Sequence, residues 1–141
     1  MSHTCKAVAI RCIDFRLRTP LTEFFREQGL ENQVDDPGLA GGVKDLVEPS
    51  GNPDVVLKQI SVATALHGVS KVLLINHTDC GAYGGSGAFS DETAERAKHE
   101  ADLAAAAATV HERFPQVTVE KVLAVIEPGH GTPTVRFEFI P

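Results

Sequence analysis

"KVLLINH", residues 71–77, is an almost unbroken apolar run rather than an alternating one. That pattern belongs to a strand covered on both faces, as in a parallel sheet with helices packed on each side. The flanking stretches agree. Before it, "NPDVVLKQISVATALHG" (52–68) offers Asn52 as a cap, Pro53 at the first helical position, apolar spacing through Val56, Ile60, Ala63 and Leu66, and Gly68 as terminator. After it, "SDETAERAKHEADLAAAAATVHERF" (90–114) reads as a long helix capped by Ser90 or Asp91, with an alanine-rich middle that permits close packing.

Further towards the start, "CKAVAIRCI" (5–13) reads as a strand, and "TPLTEFFREQG" (19–29) as a helix with a Thr19 cap, Pro20 in its first turn and Gly29 as its stop. "NQVDDPGLAGG" (32–42) holds a brief strand near Val34 that runs into a glycine-rich loop. The chain closes with strands "VTVEKVLAVIE" (117–127) and "TVRFEFI" (134–140), a hairpin around 128–133. Strands alternating with helices predict an α/β fold in three layers, with a mainly parallel central sheet of four or five strands and right-handed crossovers. No repeat, low-complexity tract or linker marks a boundary, so one domain over 1–141 is expected.

The 141 residues suffice for a hydrophobic core without staples. A net charge of −6 with no Lys/Arg cluster argues against a nucleic-acid partner. No apolar run approaches the roughly 20 residues that span a bilayer, and the start does not read as a signal peptide, so no membrane role and a cytoplasmic location are expected. Three cysteines without a leader point to metal binding, catalysis or burial rather than a disulfide framework.

Their placement is informative. In "RCIDFR" (11–16), Cys12, Asp14 and Arg16 alternate directly after the apolar run Val8-Ala9-Ile10, so they share one face if the extended geometry persists. "INHTDCGAYGG" (75–85) puts His77 and Cys80 just past the end of the 71–77 strand. Sites in parallel α/β sheets form beyond the carboxyl ends of strands, where groups far apart in sequence converge. Two thiolates and an imidazole suit tetrahedral zinc, and three protein ligands leave the open fourth position of a catalytic metal. The competing reading is a redox or structural pairing of Cys12 with Cys80.

"CIDFR" (12–16) followed by "HTDCG" (77–81) resembles the paired signature Cys-x-Asp-x-Arg and His-x-x-Cys-Gly of the β-class carbonic anhydrases, and the order of elements is similar to theirs over nearly the whole chain. The resemblance implies a β-carbonic-anhydrase-like domain, zinc held by Cys12, His77 and Cys80, an Asp14–Arg16 pair beside it, and a homodimer or higher homo-oligomer with active sites near the interface. The implied activity is reversible hydration of carbon dioxide to bicarbonate by a zinc-bound hydroxide, a lyase reaction. Asp14, kept ionised by Arg16, either orients that hydroxide or serves as a fourth ligand. One stretch departs from the family. In place of an Arg-Asn-Ala-Gly-like segment this chain has "DDPGLAGG" (35–42): the basic residue is missing, Asp35 and Asp36 appear, and only Ala40-Gly41-Gly42 keeps the pattern. That marks a divergent branch, in which the Asp35 and Asp36 carboxylates of the Asp35-Asp36-Pro37-Gly38 loop either repel bicarbonate or occupy the open metal position, or only form a turn.

Two other functions use the same ligands: a zinc hydrolase acting on carbonyl sulfide or carbon disulfide, and a non-catalytic zinc-binding module. Phe15, Leu39 and Tyr83 either line a pocket or pack the core, and Gln28 either meets bicarbonate or is solvated. His130, in the 128–133 turn, is a candidate proton shuttle. His67, His99 and His111 read as helix-end or helix-surface residues, and Cys5 as a bystander.

Overall fold

The computed structural model describes residues 3–129 and 131–141. The chain runs β1 (Ala7–Cys12), α1 (Arg18–Glu27), β2 (Val34–Asp35), β3 (Gly38–Leu39), α2 (Lys44–Val47), α3 (Pro53–His67), β4 (Lys71–His77), α4 (Glu92–Arg113), β5 (Thr118–Glu127) and β6 (Thr134–Ile140). Strand order in the sheet is β2-β1-β4-β5-β6, with β3 paired to β1 further along. All neighbours are parallel except the closing β5–β6 hairpin. The fold is therefore the expected α/β arrangement, with a mainly parallel sheet between helices. It has six strands rather than four or five, because "VDDPGL" makes two short ones separated by Pro37, which has no N–H to continue the ladder.

The unbroken apolar run of β4 has its explanation in the layers. Leu73 and Ile75 face Leu21, Phe24 and Phe25 of α1, while Val72 and Leu74 face Val56 and Ile60 of α3 and Leu103 and Ala106 of α4. Each fully buried Leu or Ile side chain contributes about 1.5–3 kcal/mol, so the sheet is held from both sides.

Helix ends follow the sequence in part. Gly68, at φ +63°, terminates α3, and Asp91 caps α4 by accepting the Ala94 amide at 2.7 Å. Thr19 is not a cap: α1 begins at Arg18 and continues directly from a 3-10 turn at Phe15–Leu17, whose Phe15 carbonyl accepts the Arg18 amide. Asn52 occupies the cap position of α3 without a side-chain hydrogen bond. Among the described residues no helix is long and apolar enough to cross a membrane.

Candidate metal centre

β1 and β4 are parallel neighbours in register, Ile10 opposite Leu74, so their carboxyl ends lie side by side. Cys12 is the last residue of β1 and His77 the last of β4; Cys80 follows after a short turn. The two sulfurs are 3.9 Å apart, and with a His77 ring nitrogen they form a group whose ligand atoms all lie within 4.8 Å of one another, all three residues buried. Both cysteines are free thiols in this structure.

His77 supplies the test of whether these residues suit a metal. Its Nδ1 stands 2.7 Å from the Thr78 carbonyl, which can only accept, so Nδ1 carries the proton and Nε2 keeps its lone pair. That Nε2 is buried without a hydrogen-bond partner. An unpaired acceptor in the interior is costly unless something electrophilic meets it. The thiols point the same way: a hydrogen bond between the two sulfurs favours loss of one proton, while loss of the second is opposed by that hydrogen bond and by burial. A thiophilic dication relieves that opposition and fills the gap at Nε2.

The turn bearing Cys80 is clamped from outside the two motifs. Asp79 adopts φ +54°, unusual for a residue with a side chain, and its amide donates to Glu95 Oε1 of α4 at 2.6 Å. Ser86 donates its amide to Asp79 Oδ1 at 3.0 Å and its hydroxyl to Glu95 Oε2 at 2.8 Å. Thr78 is tied to β5, its amide donating to the Ala124 carbonyl and its Oγ1 accepting the Ile126 amide, both at 2.9 Å.

Asp14 and Arg16 reach the cluster by a route other than strand alternation. Extended geometry ends at Cys12, and Asp14 caps the following 3-10 turn by accepting the Arg16 amide at 2.9 Å. The turn folds the Arg16 guanidinium back onto Asp14, Nε to Oδ1 at 3.0 Å and Nη2 to Oδ2 at 2.7 Å. Arg16 also donates to the Asp79 carboxylate at 3.0 Å and carbonyl at 2.9 Å, so one guanidinium joins both motifs. Asp14 Oδ2 lies 3.8 Å from His77 Nε2. The Arg16 hydrogen bonds hold the Asp14 carboxyl below the usual carboxylate range, and Asp14 in turn raises the Arg16 pKa.

The family described as "Putative carbonic anhydrase" matches residues 2–126. The chain belongs to this family. An uncharacterised protein of Rickettsia conorii is 29% identical over 122 residues, which are 83% of this chain and 66% of that protein. Two solved structures share the fold. The β-carbonic anhydrase isoform I of Trichomonas vaginalis superposes with a TM-score of 0.58 at 13% identity, covering 96% of this chain and 85% of its own. A tetrameric β-carbonic anhydrase of Sordaria macrospora gives 0.57 at 15% identity, covering 99% and 82%. The chain is thus a divergent member of the carbonic anhydrase family with the β-class fold.

In this carbonic anhydrase family member the unusual "DDPGLAGG" carboxylates are engaged elsewhere. Asp36 takes a two-point ion pair from Arg11, at 3.0 and 3.3 Å, and Asp35 lies 2.6 Å from His67 Nδ1. Ala40-Gly41-Gly42 has a physical basis. Gly42, at φ +61°, passes so close to β4 that a Cβ would stand 2.7 Å from the Ile75 carbonyl, while Val43 donates its amide to Asn76 Oδ1.

Sequence reasoning missed a buried polar group behind the cluster. His99, placed on a helix surface by its sequence context, is completely buried on α4. Its Nδ1 meets Asn76 Nδ2 at 3.1 Å, and Asn76 also donates to the Tyr83 hydroxyl, which donates to Asp102 at 2.8 Å. Tyr83 therefore belongs to this network rather than to an apolar pocket wall. Leu39 packs against the α3/α4 core, Phe15 is 85% exposed, and Gln28 is exposed at the end of α1. His130 lies outside the described residues. Cys5, read as a bystander, lies close to Asp35 and His67.

Proposed function

We propose that this chain is a zinc-dependent carbonic anhydrase interconverting carbon dioxide and bicarbonate. The observation that carries the reading is the buried, unpartnered His77 Nε2 facing two thiols, 3.8 Å from a carboxylate that Arg16 keeps ionised. Cys12, His77 and Cys80 are the residues that would hold zinc, whose chemistry when bound is to lower the pKa of a coordinated water towards about 7. Asp14 acts as a fixed acceptor: both its oxygens are held by Arg16, so it orients a reactant's O–H beside His77 rather than swinging towards the sulfurs. Asp79 and Glu95 position the turn that delivers Cys80. We read residues 1–141 as one β-carbonic-anhydrase-like domain.

Assembly as a homodimer or larger homo-oligomer belongs to the same proposal. Exposed Phe15 lies between Asp14 and Arg16 in the chain, and exposed Phe139 borders the same groove between α1 and β6. The Sordaria macrospora relative in fold is described as tetrameric. Light scattering on the purified chain tests the assembly.

Stopped-flow hydration of carbon dioxide by the zinc-loaded chain tests the activity. Turnover well above the uncatalysed rate, lost in Cys80→Ser, is expected. Zinc-loaded, folded protein without turnover would overturn the enzymatic reading and leave a zinc-binding module.

A further inference from the structure

A second group of metal-ligating side chains lies at the opposite end of β1. Cys5, Asp35 and His67 offer a sulfur, a carboxylate oxygen and a ring nitrogen that all lie within 4.8 Å of one another, each residue partly buried. Cys5 precedes Cys12 by seven residues of mainly extended chain, which places the two groups on the order of 20 Å apart.

Backbone contacts assemble this second group. The Cys5 amide donates to the His67 carbonyl at 3.1 Å, fixing the chain ahead of β1 against the end of α3. The amides of Lys6 and Ala7 donate to the Gln33 carbonyl, and the parallel register sets Val8 opposite Asp35. Three segments therefore meet before the side chains make any contact of their own.

The electrostatics favour a cation. Among the described residues no Lys or Arg pairs with Asp35; its partner is His67 Nδ1, at 2.6 Å. His67 is the last residue of α3, where the helix carbonyl ends attract positive charge.

We propose that Cys5, Asp35 and His67 form a second site for a zinc-type divalent metal, which clips the chain ahead of β1 to the end of α3 and to the edge strand β2. A thiolate, an imidazole and a carboxylate are zinc's ordinary donors. Bonds of about 2.0–2.3 Å set such donors roughly 3.3–3.6 Å apart, within reach of small rotamer adjustments by half-exposed side chains. Binding releases the thiol proton to solvent. The site is independent of hydration activity and of the residues proposed for it.

The test is titration of zinc into the reduced, chelator-stripped 141-residue chain against a chromophoric chelator, repeated with cobalt(II) to read thiolate-to-metal absorption. Two equivalents are expected in wild type. Cys5→Ser and His67→Gln should each weaken one of them by at least about 10-fold while the other stays intact. Cys80→Ser should keep a cobalt–thiolate band from Cys5, and zinc should raise its Tm but not that of the Cys5→Ser/Cys80→Ser double variant. Cys5→Ser binding as much zinc as wild type with unchanged affinity, whether wild type saturates at one equivalent or two, would overturn the proposal. A single wild-type equivalent that Cys5→Ser abolishes would uphold it and count against the Cys12/His77/Cys80 site instead. Cys5→Ser alone decides the matter if Cys80→Ser fails to fold.

Discussion

Glu95 of α4 accepts the backbone amide of Asp79 at 2.6 Å, and through that bond the helix layer holds the turn between His77 and Cys80. The same carboxylate takes the Ser86 hydroxyl, so a buried acid on α4 organises a loop it does not belong to. A hydrogen bond to a charged acceptor contributes about 1.5–3 kcal/mol.

Glu95→Gln tests this clamp. The amide retains an acceptor but loses the charge, so the turn loosens and the spacing between His77 and Cys80 is no longer enforced. Zinc affinity at Cys12/His77/Cys80 is expected to fall about 10-fold or more, with a loss of about 1–3 kcal/mol in urea unfolding. Unchanged affinity in competition with a chelator would show that the ligands hold their geometry without α4.

Asp14→Asn separates metal binding from turnover. Asp14 is not among the three ligands, and Arg16 keeps hydrogen-bonding partners in Asp79, so zinc content should stay at the wild-type level. Hydration is expected to fall about 10- to 100-fold, because the oriented acceptor has lost its charge. Arg16→Lys should follow the same pattern, since a single ammonium cannot reproduce the two-point grip. Full activity in Asp14→Asn would remove the dyad from the chemistry.

The Asp35→Asn/Asp36→Asn double variant addresses the departure from the family pattern. Arg11 already neutralises Asp36, and Asp35 sits opposite Val8 near the start of β1, far from the end that carries Cys12. Hydration rate and bicarbonate inhibition are therefore expected within about twofold of wild type at ordinary ionic strength. The loss of the partly exposed Arg11 pair should cost at most about 1 kcal/mol. Markedly tighter bicarbonate inhibition would show that the carboxylates reach the reaction site after all.

His99 gives the fold a pH dependence of predictable sign. Burial lowers its pKa below the ordinary histidine value of about 6.5, against the opposing pull of Glu95. Between the folded and unfolded pKa values the unfolded chain binds the extra proton, so this contribution is complete above about pH 6.5 and is lost as pH falls through the folded value. Its slope approaches about 1.4 kcal/mol per pH unit at most. Urea unfolding at pH 7.5 and 5.5 should show a smaller difference in His99→Gln than in wild type; an equal difference would assign the acid sensitivity to other groups.

The layers were legible because burial writes itself into local pattern. β4 is apolar at successive positions since each face meets a different helix, and its bounds, Lys71–His77, are those read from the sequence. The Cys12, His77 and Cys80 grouping was legible for a related reason: parallel strands bring their carboxyl ends together wherever their loops run. Local pattern failed at the alanine-rich helix. Small side chains let α4 sit close to the sheet, so Glu95, His99 and Asp102 are buried although a charged helix face ordinarily lies in water.

The sequence by itself determined the α/β class, the strand ends that carry the two thiols and the imidazole, and the family motifs, because each depends on residue type and on spacing within a few turns of chain. Tertiary structure alone decided that a 3-10 turn, not an extended strand, folds Arg16 onto Asp14, and that Asp36 belongs to Arg11. It also decided that Cys5, Asp35 and His67 meet, 30 and 32 residues apart in turn. Such encounters depend on strand register and on the path of the intervening chain. Those are set by the packing of the whole sheet against its helices, and no local period records them.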